Sequence, residues 1–510
     1  MQNHSENTRR IAKNTLMLYG RMLFSMVVSL YTSRVILNAL GVVDYGIYGV
    51  VGGFVSMFSL ISSSLSSAVS RFLTFELGRG DFDRLRRAFS TSLLIHIVLA
   101  FVIFIIAETV GIWFVNNKMT IPSDRLYAAK WVFQASVLTF MFNLFSVPYN
   151  ASIVSHEKMN AFAYIGMLDT TLKLLVVLLV AYCRWHYDKL IVYSILLTIL
   201  AMLMRFIYVV YCRRHFKECR LKITFDKDFF TEISAFSVWN FIGCTAGILK
   251  DQGVNVLLNI FLGPVLNAAK GVASSVNTAV SGFANNFMVA LNPQITKSYA
   301  SGDLKYVHFL VETGSRFSYY IVMFLALPIL LETEFILTIW LKQYPEHSLN
   351  FVRLVLILSM VNVISNTLIT LQNATGRIRN YQIVVGGILL LNFPLSYFCL
   401  KSGFKPECTY IIAILVSILC LFARLCFVWK TASLSITDFM RNVILKVLFV
   451  TVVAALFPYF LSRMLTMGWL RCILVSVASL ISSAASVFYI GCSKKEKTFI
   501  LERLKIKRLL

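Results

Sequence analysis

The feature that most constrains this chain is a series of fourteen apolar segments separated by short polar loops. A helix rises about 1.5 Å per residue, so each segment can cross a hydrocarbon core about 30 Å thick. Helices are required there because an unpaired backbone amide is costly in lipid. The sequence therefore predicts an all-α polytopic membrane protein. The segments lie at about 15–39, 47–75, 89–115, 129–154, 161–183, 190–212, 233–261, 265–291, 313–341, 351–374, 382–400, 408–429, 443–462 and 468–491.

Composition agrees with this class and excludes others. The 510 residues are 58% hydrophobic, with a mean hydropathy of +0.74, and a soluble domain cannot bury that much apolar surface. The net charge of +24 could indicate nucleic-acid binding. We instead expect positive loops that face the cytoplasm, and no nucleic-acid partner. The sequence has no C-x-x-C pair and no histidine cluster, which predicts neither a metal site nor a cofactor.

Lysine and arginine predict the orientation of the chain. With the N-terminus in the cytoplasm, the inner loops and tails hold roughly three times as many of these residues as the outer loops. The richest inner segments are 79–87, 213–227 and the tail 494–508. Because positive residues accumulate on the cytoplasmic side, we expect both termini there.

The sequence also contains an internal repeat. A shift of 222 residues lays Leu40-Gly41 on Leu262-Gly263 and Gly80-Asp81 on Gly302-Asp303. Six segments separate the copies, and an even number preserves orientation, so the repeat is parallel, about an axis along the membrane normal. We expect two six-helix lobes with a cavity between them, then two additional helices and a basic tail. The corresponding ranges are 1–222, 223–430, 431–491 and 492–510.

The stretch from Leu37 to Asp81 carries the most specific motif. It contains a G-x-x-D-Y-G-x-Y run from Gly41 to Tyr48, followed by a serine-rich helix. Gly49 and Gly53 have the G-x-x-x-G spacing that lets membrane helices approach closely. This stretch resembles the first helix pair of polysaccharide-biosynthesis flippases, the O-antigen and capsule translocases. These are related to the lipid II flippase and to multidrug and toxin extrusion (MATE) transporters of the MOP superfamily.

The resemblance implies a transporter rather than an enzyme. Its substrate would be a polyprenyl-pyrophosphate-linked oligosaccharide, a repeat unit of O-antigen, capsule or exopolysaccharide. Alternating access would move it from the cytoplasmic to the periplasmic leaflet of the bacterial inner membrane. The implied partners are this lipid-linked oligosaccharide, the bilayer and other glycan-assembly membrane proteins. In the lipid II flippase family, an additional C-terminal helix pair forms a groove for the lipid tail.

Charged residues inside the segments are the candidates for function. A charge near the bilayer centre costs roughly 2.5–3.5 kcal/mol on insertion scales, so it tends to face a wet cavity and to act there. Basic residues dominate this set, which suits an anion such as a pyrophosphate. The candidates for substrate binding are Arg21, Arg34, Lys173, Arg205, Lys250 and Lys270. Asp169 and Asp251 are candidates for ion coupling or for an internal pair.

Each candidate also has a structural interpretation. Arginine and lysine near a span end can extend to the headgroup layer, which applies to Arg21, Arg34, Arg205 and Lys270. Lys173 lies about 18 Å into its helix, and Asp169 precedes it in the order that favours an i,i+4 ion pair. The run Leu249–Gly253 predicts a local helix break.

Uncharged polar residues and helix-end acids complete the set. Asparagines such as Asn240 and Asn292 either contact sugar or form hydrogen bonds between helices. Glu332, at a span end, is expected to be solvated.

Three classes of function remain open. The first is the glycan flippase, and the second is a MATE-type cation-coupled drug antiporter, a family that uses intramembrane acids. This chain has few such acids. The third is a membrane O-antigen polymerase or ligase, whose members resemble one another in a large periplasmic loop, whereas the longest outer loop here is about 116–128. No G-x-x-x-x-G-K-[ST] run supports nucleotide-driven transport.

We expect reporter fusions after Lys13 and after Lys497 both to report a cytoplasmic location, because of the bias in lysine and arginine. Paired phosphatase and fluorescent-protein fusions measure this directly. A periplasmic signal at one end only would require an odd number of membrane crossings.

Overall fold

The computed structural model describes residues 2–117, 119, 121–183, 186–220, 224–494 and 496–498. These residues are almost entirely helical and contain no β-strand, as the apolar segments predict. The predicted basic tail lies mostly outside the described residues. The chain divides into two compact units, Met1–Phe241 and Ile242–Leu510.

The first unit begins with one long helix. It contains α1 (Gln2–Ser56), α2 (Ser59–Arg79), α3 (Phe82–Ile106), α4 (Ile112–Asn117), α5 (Leu126–Ser155), α6 (Met159–Tyr182) and α7 (Lys189–His215). Helix α8 (Lys227–Leu262) contains the boundary between the units.

The second unit has additional breaks within its helices. It continues with α9 (Pro264–Ala300), α10 (Leu304–Leu331), α11 (Thr333–Leu341), α12 (Ser348–Ile364), α13 (Asn366–Thr375), α14 (Arg379–Leu390), α15 (Asn392–Lys401) and α16 (Cys408–Ala432). The C-terminal helices are α17 (Ile436–Phe439), α18 (Leu445–Met464) and α19 (Trp469–Ser486).

The backbone repeats at the same 222-residue offset as the sequence. Gly41 kinks α1 with φ 80° and ψ 169°, and Gly263 precedes α9 with φ 84° and ψ 178°. Glycine adopts this left-handed φ without a Cβ clash, so each of these two glycines can form the turn between one span and the next. Two further glycines, Gly80 and Gly302, have φ values of 76° and 80°.

Helix starts follow the same offset. The Asp81 carboxylate accepts a hydrogen bond from the backbone amide of Arg84 at 2.9 Å and caps α3. The Asp303 carboxylate accepts a hydrogen bond from the backbone amide of Tyr306 at 3.1 Å and caps α10. An N-cap acceptor satisfies an amide that the helix itself leaves unpaired. Helices α5 and α12 likewise begin 222 residues apart, so the register holds well beyond the motif.

Twelve helices among the described residues are long and apolar enough to cross a membrane. Helices α2 and α9, rich in small and polar residues, are outside that set, although both pack beside spanning helices. In α2, Thr74 Oγ1 lies 2.8 Å from Ser155 Oγ of α5. In α9, Ser281 Oγ lies 2.8 Å from Ser359 Oγ of α12. The fourteen crossings expected from the sequence would include α2 and α9, and that count stays a prediction.

An ionic cluster ties three turns of the first unit together. The Arg125 guanidinium donates from Nε to Asp44 Oδ1 at 2.8 Å and from Nη2 to the other Asp44 oxygen. Its Nη1 donates to Asp188 Oδ2 at 2.5 Å. Asp44 belongs to the G-x-x-D-Y-G-x-Y run, and Tyr48 of the same run packs on Tyr193 with ring centroids 5.1 Å apart. The motif therefore fixes the start of the second span against α5 and α7.

The C-terminal part of the chain attaches to α10 through two ion pairs, one near the middle of α10 and one at its C-terminal end. Arg316 Nη2 lies 2.8 Å from Glu496 Oε1, and Arg471 Nε lies 2.8 Å from Glu332 Oε1. The expectation that Glu332 is solvated is wrong, because it is 2% exposed. A carboxylate buried in this way requires a cationic partner, which α19 provides.

We expect Arg125→Ala to lower the free energy of unfolding by about 2 kcal/mol, because two facing carboxylates lose their shared counter-ion. The thermal midpoint of detergent-purified protein measures the loss. Lys130→Ala removes an exposed cation from the same end of α5 and is the control. Equal midpoints for the two variants would contradict a stabilising role for the cluster.

The cluster also predicts a pH dependence. Burial raises the pKa of Asp188, but hydrogen bonds from Arg125 and the Leu190 amide outweigh burial and lower it below its usual value. A carboxyl group whose pKa is lower in the folded protein than in the unfolded protein stabilises the fold. This contribution is complete above the pKa of the unfolded protein, which is about 4. That contribution is lost as the pH falls through the folded value. The difference between wild type and Arg125→Ala should therefore shrink below about pH 4.

Candidate functional site

A cavity of about 300 Å³ lies inside the first unit. It contains three of the sequence-predicted charges, Asp169, Lys173 and Arg205, and it is walled by α5, α6, α7 and the part of α1 after Gly41. Other polar groups that line it are Tyr48, Ser136, Thr139, Asn143 and Ser194. With two cations and one carboxylate, the cavity has an excess of positive charge.

Arg205 is the best-positioned cation of the cavity. Its Nη1 donates to Ser146 Oγ at 2.8 Å, and its Nη2 donates to Asn143 Oδ1. Both acceptors belong to α5, so the guanidinium of α7 is held by two neutral side chains of the neighbouring helix. Its Nε is buried and has no hydrogen-bond partner among the described residues. A guanidinium held by neutral acceptors keeps its full charge for an anionic ligand.

The predicted pair between Asp169 and Lys173 is present. Lys173 Nζ lies 2.7 Å from Asp169 Oδ2, four residues earlier on α6. The lysine side chain is 53% exposed and the aspartate side chain 31%, so the pair borders open space. The ammonium therefore retains donors for a second acceptor.

Arg21 lies close to this cavity, on α1. Its guanidinium carbon is 4.5 Å from the centroid of the Phe162 ring, a cation–π contact. Gly166 gives it room, because a Cβ at that position would lie 2.8 Å from Arg21 Cδ. Tyr208 interacts electrostatically with Arg21, Arg205 and Asp169. Three of the predicted charges therefore lie within electrostatic range of one tyrosine.

The second unit brings three more of the predicted charges together at α8 and α9. Lys250 Nζ lies 3.3 Å from Asp251 Oδ1, and Lys270 Nζ donates to the Asp251 carbonyl at 2.9 Å. Lys250 is 9% exposed, while the Asp251 side chain is open to solvent. This group too has two cations for one carboxylate.

The expected break at Leu249–Gly253 is wrong, because α8 runs through it without interruption. Gly253 instead allows close packing, since a Cβ there would collide with the Phe393 ring. Glycine in a membrane helix often provides such contact rather than a bend.

The remaining candidates are surface and interhelical groups. Arg34 is exposed on α1. Asn240 donates to the Ser64 carbonyl at 3.4 Å, and Asn292 accepts from Thr370 at 2.8 Å. Both asparagines therefore make the hydrogen bonds between helices that their sequence context allows.

The sequence interpretation missed other intramembrane charges, among them Glu108 and Arg424. Glu108 Oε2 accepts from Gln134 at 3.1 Å, and Arg424 on α16 is 9% exposed and interacts with Tyr381. Each is a single charge in an apolar run, the same signal that identified the other candidates. Arg424 and Arg205 lie on the sixth span of their units, one turn apart once the 222-residue offset is applied.

We expect Asp169→Asn and Lys173→Met each to lower the thermal midpoint, and the double variant to lower it by less than the sum. Each single change leaves one charge uncompensated. The coupling should be about 0.5–1 kcal/mol because the pair is partly exposed. Lys158→Met, at the start of the same helix, is the matched control. Strict additivity would show that the two side chains do not interact.

A family model described as "Polysaccharide biosynthesis protein" matches residues 9–299. No curated protein matches the chain.

Solved structures of MATE transporters have a similar fold. A MATE protein in its straight conformation is 10% identical, with a TM-score of 0.72 over 84% of this chain and 97% of its own. An outward-facing multidrug resistance MATE transporter of the MOP superfamily is 10% identical, with a TM-score of 0.70 over 83% and 97%.

A third similar structure differs in its pocket. It is a MOP superfamily transporter from Pyrococcus furiosus, described as having a binding pocket of reverse polarity. It is 10% identical, with a TM-score of 0.68 over 84% of this chain and 96% of its own. At these identities the likeness shows the fold alone. The family model spans more than half of the sequence, and the chain therefore belongs to the polysaccharide biosynthesis protein family.

Proposed function

We propose that this protein is a flippase for a polyprenyl-pyrophosphate-linked oligosaccharide, a repeat unit of O-antigen, capsule or exopolysaccharide. It moves the headgroup from the cytoplasmic to the periplasmic leaflet of the bacterial inner membrane by alternating access. Family membership supports the polysaccharide substrate, and the membrane fold supports transport rather than an enzymatic reaction.

The observation that carries the proposal is the positive cavity built around Arg205. A pyrophosphate has about two negative charges, and a planar guanidinium can bind two of its oxygens at once. The hydroxyl and amide groups beside Arg205 offer further donors and acceptors. A hydrophobic drug cation would meet repulsion in the same space.

We assign the remaining cations to the path of the anion. Arg21, Arg34, Lys173, Lys250 and Lys270 contact the pyrophosphate at successive stages of transport. Asp169 and Asp251 compensate the lysines beside them, and each could take up a coupling cation when the substrate draws its lysine away. Such exchange links ligand binding to a change in conformation through differential contacts.

The partners and location follow from this substrate. The lipid-linked oligosaccharide and the bilayer are direct partners, and other glycan-assembly membrane proteins would act before and after the flippase. Both termini face the cytoplasm.

The alternative is a MATE-type cation-coupled drug antiporter, favoured by the fold. The charge inside the spans discriminates between the two, because a drug cation needs acids without a cationic partner, and of the three intramembrane acids described above only Glu108, bonded to the neutral Gln134, has no lysine beside it. Asp169 lies 2.7 Å and Asp251 3.3 Å from a lysine ammonium. A membrane polymerase or ligase is a weaker alternative.

We expect Arg205→Ala to reduce surface polysaccharide at least tenfold while the protein still inserts. A charge-assisted contact is worth about 1.5–3 kcal/mol, and each 1.4 kcal/mol is tenfold in binding. Arg205→Lys should rescue only partly, since lysine keeps the charge but loses the planar fork. Immunoblots of surface glycan, normalised to membrane protein, give the result.

Arg214→Ala is the matched control, an exposed arginine at the end of the same helix. It should leave surface glycan unchanged. Wild-type glycan in Arg205→Ala would remove this cavity from the substrate path. If Arg205→Ala abolished drug efflux and caused growth defects that do not depend on surface glycan, the result would instead favour the antiporter.

A further inference from the structure

A second cavity, of about 620 Å³, lies in the second unit where α12 and α16 begin. The loops that precede these two helices form its walls. It shares no residue with the cation clusters described above. With the N-terminus in the cytoplasm, this end of the unit faces away from the cytoplasm. The polar and aromatic lining residues are Glu346, His347, Asn350, Phe404, Lys405 and Glu407.

Glu407 is a prepared hydrogen-bond acceptor in this cavity. Its Oε1 accepts from His347 Nδ1 and from Asn350 Nδ2, both at 2.8 Å. Its Oε2 is buried and accepts no hydrogen bond from another described residue. A buried carboxylate oxygen without a donor is costly. A ligand hydroxyl or amine that reached it would remove that cost.

The carboxylate form of Glu407 is favoured. Burial raises the pKa of this carboxyl group, but the hydrogen bonds from Asn350 and His347 outweigh burial and lower it below its usual value. An ionised carboxylate accepts hydrogen bonds only, so the free oxygen selects for donors.

The loop before α12 is held in a costly conformation. His347 has φ 66° and Lys342 has φ 58°. These left-handed values are uncommon for residues other than glycine, and residues of this kind cluster at ligand sites. Here the conformation places the His347 ring against Glu407, so that one carboxylate oxygen is occupied and the other is free.

An aromatic face completes the cavity. The Phe404 ring is 63% exposed although it belongs to a polar loop. The C–H face of a sugar ring packs on an aromatic ring, while its hydroxyls donate to carboxylates and accept from amide and ammonium groups. Phe404, Glu407, Asn350 and Lys405 supply these contacts around one space.

We infer that this cavity binds a saccharide ring, stacked on Phe404 with one hydroxyl donated to Glu407 Oε2. The inference rests on the proposed function for the source of that ring, the oligosaccharide of the lipid-linked substrate. It gives the sugar a contact separate from the cations assigned to the pyrophosphate.

The charge of the cavity restricts the sugar. Glu346 and Glu407 face a single lysine, Lys405, together with the imidazole of His347. A uronic acid would bring a further negative charge next to Glu407. The cavity therefore suits neutral and amino sugars and disfavours acidic ones.

Saturation-transfer NMR on the purified full-length protein in detergent tests the inference, with glucose, glucosamine and glucuronate as probes. Glucose and glucosamine should show transfer, and glucuronate should show several-fold less. Phe404→Ala and Glu407→Gln should each reduce the glucose signal several-fold. Phe404 is exposed, so its substitution should leave folding intact even if Glu407→Gln does not fold. Phe398→Ala removes a ring that is also 63% exposed and should change nothing.

Absence of transfer to all three sugars in wild type would overturn the inference, as would equal signals in Phe404→Ala and Phe398→Ala. Arg205→Ala separates the two proposals, because it should abolish surface glycan but retain glucose binding. Glucose binding without any effect of Arg205→Ala on surface glycan would contradict the flippase mechanism alone. Loss of surface glycan in Arg205→Ala, without glucose binding in wild type, would contradict the saccharide cavity alone.

Discussion

The cost of an unpaired polar group in hydrocarbon governs this structure. Charged side chains that enter the helices meet partners from elements distant in sequence, as Arg316 meets Glu496 and Arg471 meets Glu332. These contacts satisfy the charges, and they also fasten the C-terminal helices to α10. Lipid provides no hydrophobic force between helices, so such polar contacts and the packing of small residues drive the association of the helices.

The same cost identifies the candidate site, because pairing there is incomplete. An apolar residue at position 205 would pack between α5 and α7 without the free-energy cost of burying a charge. The structure instead holds Arg205 with two neutral acceptors and leaves Nε unpaired. Stability alone does not explain such an arrangement, whereas an anionic ligand does. Lys173, with one acidic neighbour and an exposed ammonium, fits the same explanation.

Local features of the chain could be predicted from the sequence, and distant contacts could not. Hydropathy gave the helices, and i,i+4 spacing gave the pair of Asp169 and Lys173. The Asp44 side chain, by contrast, contacts Arg125, which is 81 residues away along the chain. Local patterns in a single sequence do not indicate such a contact. Gly253 was misinterpreted for the same reason: it indicates a bend in isolation, but the Phe393 ring beside it requires a residue without a Cβ.

The repeat connects the ionic cluster of the first unit to the saccharide cavity of the second. Arg125 and His347 are 222 residues apart, each at the start of the fourth span of its unit, and each pairs with an acid just before the sixth span. In the first unit one guanidinium binds two carboxylates and closes the turns. Imidazole has fewer donors, and the third member is absent because Leu266 stands where the repeat places Asp44. Glu407 Oε2 accepts no hydrogen bond from another described residue, so equivalent positions of the repeat close the turns in the first unit and line an open cavity in the second.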